Sequence, residues 1–499
     1  MPADQKSLGL LKIAMTKKKL KISDTTITVA GGSLPSTDRP VVCIQGLGFV
    51  GAAMAVAVAQ ARAADGQPRY QVIGIDLPTP AGLARIDAIN RGDFPFPCED
   101  NKLLAALREA RQRGNLMAAA DTGYYTKAAV VIVDINLDVH FGDGRVTVAL
   151  EGFREAVRTL AANIPAGCLV IVETTVPPGT CEHIVAPILR EGAQTRGLPE
   201  DAFLLAHSYE RVMPGRTYFD SIVNFWRVYA GHTTAAAEAC EKFLSHVINV
   251  QQFPLTRLGS TTASEIGKVL ENSFRAVNIA FMEEWGRLAE RLNIDLFEVI
   301  RAIRVRPTHS NLMQPGFGVG GYCLTKDPLL AAIAARDILQ QHDLDFPFSK
   351  MAIEVNRVMP LVTLNKVEEL LTGSLQGKNL LILGVSYRQD VGDTRHSPAQ
   401  LFWEEAQRRG AVLTCHDPYL TYWPELNLSL PQDLPPPNDF HAVIFAVPHD
   451  FYRTLDIKAW LAGRRTYIID ANNVLTVNQV TALKEAKIPL WRIGQGKVV

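Results

Sequence analysis

Cysteine is scarce and never paired in sequence. The seven residues Cys43, Cys98, Cys168, Cys181, Cys240, Cys323 and Cys415 are odd in number, scattered over 499 positions, and form no C-x-x-C. This argues against a disulfide framework and a thiolate zinc site, and makes a reducing, cytoplasmic compartment the default. Long apolar runs are also lacking: none approaches the roughly 18 to 20 residues that span a bilayer. Charge of one sign is missing too, since Lys+Arg and Asp+Glu are equal at 51 each, so nothing in the balance favours nucleic acid as a partner. His207, His309, His396 and His416 lie near motifs but form no H-x-x-x-H pair, and no metal is expected. The stretch before residue 40 carries a lysine cluster, Lys17 to Lys19, behind only a short apolar part. That order is wrong for a signal peptide, and residues 1–39 are expected to be a solvated extension.

What is present is an ordinary globular composition, 47% hydrophobic and 20% charged, over a length that favours two or three domains. From Val41 to about Val250, short β-branched runs (VVCIQ, QVIGID, AVVIVDI, CLVIVET) alternate with helical patterns, the rhythm of a parallel sheet covered on both faces. From Thr261 a long stretch with helical spacing predicts one long helix, followed by more helix to about Leu371 around a Gly/Pro-rich loop at 308–321. A second βα series (NLLILGVSY, AVLTCHDP, HAVIFAVP, TYIIDANNVL) opens near Lys378. The expected fold is α/β: two doubly wound, Rossmann-like domains joined by a long central helix and a helical middle domain.

Gly46-Leu47-Gly48-Phe49-Val50-Gly51 follows the first strand and opens an Ala-rich helix, the context a G-x-G-x-x-G requires. Gly46 permits the tight turn, Gly48 lets the backbone approach a pyrophosphate, and Gly51 lets helix and strand pack closely. The second strand ends in Asp76, whose carboxylate can accept from a ribose diol and would repel a 2′-phosphate; Leu77, Pro78 and Thr79 bring no Arg, which favours NAD over NADP. The bland alternative is a turn that binds nothing, or FAD.

Four glycines between Pro315 and Gly321 precede Cys323, with Lys326 and Asp327 just behind it. Such a loop can mould to a ligand and expose a thiol, and a nearby lysine is expected to lower the thiol pKa. Residue statistics alone would make Cys323 a small buried hydrophobe, the reading kept for the other six cysteines. Lys268 and Asn272, four apart on the long helix, project from one face, where amine and amide could stabilise an oxyanion or position a water, although sequence alone favours a solvated Lys-Asn pair.

Taken in order, GLGFVG with Asp76, ETTVPPGT (173–180), HSYERVMPG (207–215), EIGKVLENSFRAVNIAF (265–281), PGFGVGGYCLTKDP (315–328), GVSYRQDVGDTRHSPA (384–399), HDP (416–418) and DANNVL (470–475) resemble the UDP-glucose/GDP-mannose dehydrogenases over residues 41–499. The resemblance implies an NAD-binding domain (40–255), a helical central and dimerisation domain carrying the catalytic Cys loop (256–374), and a C-terminal nucleotide-sugar-binding domain (375–499). The implied activity is a four-electron, NAD-dependent oxidation of a nucleotide-sugar C6 alcohol to a carboxylate by a homodimer or higher homo-oligomer. By matching position, Cys323 resembles the nucleophile, Lys268 and Asn272 the oxyanion pair, and Asp327 the residue orienting a water or Lys268. Glu210 resembles the acid/base of thioester hydrolysis and Thr175 a threonine touching cofactor and catalytic water. Arg395 resembles an arginine reaching the cofactor, joining Gly46, Gly48, Phe49, Val50, Gly51 and Asp76. Arg211, Val212, Phe317, Gly318, Gly320 and Arg388 resemble substrate contacts, with Glu210, Lys268 and Asn272. The chain departs from the family at Tyr209, where a proline is usual, at Arg388, where a lysine is usual, and along Val133 to Asp138. There Asp134 and Asp138 would repel a cofactor phosphate, so they are expected to point away unless the strand is shifted. Rival readings are a two-electron β-hydroxyacid-type dehydrogenase and a silent nucleotide-sugar-binding protein. The E-R-V-x-P-G form at 210–215 resembles enzymes of UDP-N-acetylhexosamines, while GDTR at 392–395 also resembles the UDP-glucose branch.

Overall fold

The structure, a computed structural model, describes residues 38–142 and 145–496. The expected N-terminal extension, apart from its last two residues, lies outside the described residues.

The β-branched runs form the centre of an eight-stranded sheet ordered Thr256–Arg257, Val228–Gly231, Leu204–His207, Leu169–Val172, Ala128–Val133, Val41–Gln45, Gln71–Ile75, Leu116–Ala119. All pairings are parallel except that of Leu204–His207 with Val228–Gly231. Strand order reverses between Val41–Gln45 and Ala128–Val133, the switch point at which doubly wound sheets bind ligands. The helix Phe49–Ala59 packs directly on the sheet: Gly51 and every residue from Ala52 to Ala59 are buried, because small side chains let helix and strands approach closely.

The predicted long helix is Thr261–Leu292, 32 residues and about 48 Å at 1.5 Å per residue. Ser260 caps its start by accepting from the Ala263 N–H, and left-handed Asn293 ends it. Its partner Pro347–Leu370 packs against Ala276 and Ala280 through Ala352, and Asn356 Nδ2 donates to the Ala276 carbonyl at 3.0 Å. On another face Ile266, Leu270, Phe274, Phe281, Trp285, Leu288 and Leu292 stand exposed at three-, four- and seven-residue intervals.

The second βα series is a five-stranded parallel sheet ordered Val412–His416, Asn379–Leu383, Ala442–Phe445, Tyr467–Asp470, Leu490–Arg492. Its order reverses between Asn379–Leu383 and Ala442–Phe445, and the loop 384–397 leaves the strand at that point. Both doubly wound sheets and the linking helix are as expected from sequence. No helix among the described residues is long and apolar enough to cross a membrane.

Candidate active site

Gly46, at φ +96°, makes a turn that no L side chain would adopt easily, and a Cβ there would fall 2.3 Å from the Asp134 carbonyl oxygen. A Cβ on Gly51 would fall 1.9 Å from the Gly46 carbonyl oxygen, whereas one on Gly48 would meet only Asn136 Oδ1 at 3.9 Å. The turn is thus closed behind and open in front, with the N-terminus of helix Phe49–Ala59 facing the opening, which fits the pyrophosphate of a dinucleotide. Asp76 accepts from the Leu47 N–H at 3.2 Å and the Leu77 N–H at 2.7 Å. Its carboxylate also holds Arg85 at 2.8 and 3.2 Å. The arginine absent from residues 77–79 therefore arrives nine positions later, tied to the acid itself.

In front of the turn lies a cleft of about 470 Å³. Gly48, Phe49 and Val50 of the turn line it together with Thr175. Glu210, Val212, Cys323 and Asp327 line its centre, and Gly318, Gly320, Arg388 and Arg395 close it from the C-terminal half. The Arg395 guanidinium lies 4.4 Å from the Phe49 ring centroid, a cation–π contact between that half and the dinucleotide turn, and its N–H edge donates to Asp393 at 2.7 Å.

The long helix supplies the polar pair. Lys268 Nζ donates to the Glu210 carbonyl at 2.7 Å and contacts Glu210 Oε1 at 3.2 Å, while Asn272 Nδ2 donates to Asp327 Oδ2 at 2.7 Å. Both side chains are buried. One turn earlier on the helix, Glu265 accepts from the Gly179 N–H at 2.5 Å and the Cys181 N–H at 2.7 Å, tying the 173–181 segment that carries Thr175 to the same helix. Glu210 and the acidic neighbours of Lys268, Cys323 and Asp327, outweigh burial and hold the Lys268 ammonium above its ordinary pKa.

Cys323 is exposed to the cleft, yet protein crowds the thiol from its other sides. Burial, reinforced by Asp327 and opposed by Lys268, pushes the thiol up to about 12. The neighbouring lysines do lower it, as expected, but burial and Asp327 outweigh them, and Lys326 Nζ is itself engaged 2.8 Å from Asp327 Oδ1 and 4.4 Å from the Tyr322 ring centroid.

Other expectations also change. Asp327 is bonded to Lys326 and Asn272, not to Lys268. Phe317 is 1% exposed and packs 5.5 Å from Phe402 in the C-terminal core, away from the cleft. Arg211 does not line the cleft: its guanidinium pairs with Glu271, donates to the Trp226 carbonyl at 2.8 Å, and lies against Tyr209. Asp138 does turn away, accepting from the Tyr322 hydroxyl at 2.8 Å. Asp134 does not. It borders the cleft, where burial, opposed by Arg227, raises its pKa well above the ordinary 3.8. Arg227 in turn pairs with buried Glu173.

Among the cleft residues outside the sequence-predicted site are Arg275, Ile279 and Tyr387. The first two were findable, because 268, 272, 275 and 279 form one continuous helical stripe. Tyr387 carries no such signal. It shows only as the wall against which the glycine loop before Cys323 fits: a Cβ on Gly320 or Gly321 would come within 2.8 or 2.7 Å of it, and one on Gly318 within 2.5 Å of Pro398.

A dinucleotide turn and an accessible thiol lining one cleft, with Glu210, Lys326 and Asp327 lining it too, define an NAD-dependent dehydrogenase. Three family models cover most of the chain: UDP-glucose/GDP-mannose dehydrogenase family, NAD binding domain, over 41–248; central domain over 262–358; and UDP binding domain over 381–477. The chain belongs to the UDP-glucose/GDP-mannose dehydrogenase family, whose substrates are nucleotide sugars. It is 28% identical over 443 residues to a UDP-N-acetyl-D-mannosamine dehydrogenase of Pyrococcus horikoshii, covering 87% of this chain and 96% of the relative. A solved UDP-D-ManNAc dehydrogenase from that organism superposes with a TM-score of 0.75 at 27% identity, over 91% of this chain and 99% of the other. A solved UDP-glucose dehydrogenase from Pyrobaculum islandicum gives 0.73 at 26% identity, over 89% and 96%.

Proposed function

We propose that this protein oxidises the C6 alcohol of a UDP-sugar to the carboxylate in two two-electron steps, with Cys323 as the covalent nucleophile. The carrying observation is that Cys323 is reachable from the same cleft that holds the dinucleotide turn, between Glu210 and Asp327. Gly46, Gly48, Phe49, Val50 and Gly51 hold the cofactor, Asp76 takes a ribose hydroxyl alongside Arg85, and Thr175 and Arg395 border the cofactor. When bound, NAD⁺ takes up one hydride in each oxidation.

The residues of the chain do the rest. Lys268, charged at neutral pH, and Asn272 donate to the oxygen that develops negative charge when sulfur adds to the aldehyde. Because the resting thiol is protonated, its proton leaves as the S–C bond forms, towards Glu210 or Asp327, whose charges both act on Cys323. The thiohemiacetal loses the second hydride and becomes a thioester. Glu210 then assists water in cleaving the C–S bond, returning the thiol and the uronate. Per sugar alcohol, two NAD⁺ and one water give one carboxylate, two NADH and three protons.

Arg388, Gly318, Gly320 and Val212, which line the same cleft, contact the nucleotide-sugar in this reading. The names of the relatives and the E-R-V-x-P-G segment support a UDP-N-acetylhexosamine over UDP-glucose. The exposed apolar stripe of Thr261–Leu292 supports a homodimer built on that helix, and seven unpaired cysteines support a reducing, cytoplasmic setting. The test is a panel of UDP-N-acetylmannosamine, UDP-N-acetylglucosamine, UDP-glucose and GDP-mannose followed by NADH absorbance. Two NADH per sugar and loss of turnover in Cys323→Ser are expected. One NADH per sugar with an accumulating carbonyl, or near-normal Cys323→Ser activity, would overturn the assignment, as would binding with no NADH from any sugar.

A further inference from the structure

The segment 208–214 has no regular secondary structure, yet it presents Glu210 and Val212 to the cleft. Arg211, between them, and Tyr209, just before them, turn instead onto the long helix, where both bond Glu271. Tyr209 is 2% exposed, and its hydroxyl donates to Glu271 Oε1 at 2.9 Å while accepting from Arg211 Nη2 at 3.2 Å. Arg211 also holds Glu271 Oε2 at 3.1 Å and the Trp226 carbonyl at 2.8 Å. Glu271 stands next to Asn272 and three residues beyond Lys268.

The Tyr209 ring does a second thing. Its centroid lies 5.7 Å from Lys268 Nζ, within cation–π range of the ammonium that donates to the next residue's carbonyl. The neighbouring helix position is Gly267, where a Cβ would sit 3.3 Å from the Tyr209 hydroxyl, so the helix makes room for this ring beside its lysine.

We propose that Tyr209, clamped by Glu271 and Arg211, is a positioning residue that sets Glu210 and Lys268 against each other. It locks the back of the 208–214 segment so that its front presents the carboxylate and carbonyl in register with the lysine. This rests on the proposed thioester chemistry, in which Glu210 serves the hydrolytic half. Loosening the clamp should therefore slow deacylation more than cofactor binding.

The experiment compares wild type with Tyr209→Phe, which keeps the ring and loses the hydroxyl, Tyr209→Leu, which loses both, and Glu271→Gln, which keeps the shape of the clamp. Rapid mixing of enzyme, NAD⁺ and the best UDP-sugar of the panel is followed by NADH absorbance and by intact mass. From the sizes of one hydrogen bond and one cation–π contact, kcat should fall about threefold in Tyr209→Phe and about tenfold or more in Tyr209→Leu, with the KM for NAD⁺ within about twofold of wild type. The slowed variants should show a burst of two NADH per site and a sugar adduct on Cys323. Unchanged kcat in Tyr209→Leu and Glu271→Gln would overturn the proposal, and so would a loss of activity that merely follows the fraction of folded protein, with no burst and no adduct. Failure of the underlying thioester reading appears separately, as a wild-type enzyme that yields one NADH per sugar or survives Cys323→Ser.

Discussion

Alkylation of Cys323 by iodoacetamide in the cofactor-free protein should be slow at neutral pH and keep rising past pH 10. With the thiol pushed up to about 12, roughly 10⁻⁴ of it is thiolate at pH 8, against about a quarter for a free cysteine of pKa about 8.5. Only the thiolate reacts, so the rate should be of the order of 10³ below that of an exposed cysteine peptide. Burial is the largest cause, and Asp327 adds to it. Asp327→Asn removes that charge and frees Lys326, and both changes pull the thiol down. If the thiol pKa falls by about one, alkylation at pH 8 should quicken about tenfold, even as turnover drops through the loss of the Asn272 contact. The assay is peptide mass spectrometry of the 323-containing fragment over pH 6 to 11, which separates it from the six other cysteines. A plateau below pH 8 in the wild type would mean a resident thiolate and would refute the argument that burial dominates, and slower alkylation in Asp327→Asn would refute the role given to its charge.

Further outcomes follow from the same geometry. Glu283 is 2% exposed, and burial raises its pKa from the ordinary 4.5 to about 7, against Arg287. A raised acid stabilises the fold while protonated and loses that contribution as pH climbs from about 4.5 through 7, at most about 3 kcal/mol. Thermal melts should therefore show Glu283→Gln flattening the fall in stability between pH 5 and 8, and an unaltered slope would sink the assignment. Gly51→Ala should lower both Tm and NADH affinity because its Cβ meets the Gly46 carbonyl oxygen, whereas Gly48→Ala should weaken NADH binding at unchanged Tm; fluorescence titration with calorimetry distinguishes them. Leu270→Glu with Phe274→Glu, both on the exposed stripe, should leave a folded monomer in sedimentation equilibrium, and a persisting dimer would place the interface elsewhere.

Much of the architecture was legible because buried parallel strands write themselves as continuous β-branched runs: VVCIQ, QVIGID, AVVIVDI and NLLILGV all became central strands. Of the strands that gave no such signal, LMAA at Leu116–Ala119 and LWR at Leu490–Arg492 lie at sheet edges, whereas LLAH at Leu204–His207 and VYAG at Val228–Gly231 are interior, and all four are only three or four residues long. Lys268 and Asn272 could be placed together because four residues on a helix share a face. The fates of Arg211 and Phe317 could not, since each is decided by a residue 60 or more positions away, Glu271 or Phe402. Nor could the thiol pKa, because the lysine is visible in sequence while the burial of the thiol and the aspartate that engages the lysine are tertiary facts.

The fit between the glycine loop and the wall behind it limits which substitutions the loop accepts. Gly318 faces Pro398 and Pro360, while Gly320 and Gly321 face Tyr387, so the path of the chain towards the thiol is moulded on residues far along the chain. A larger side chain at 318 or 321 therefore needs a smaller one at 398 or 387, and reshaping that wall of the cleft calls for paired changes.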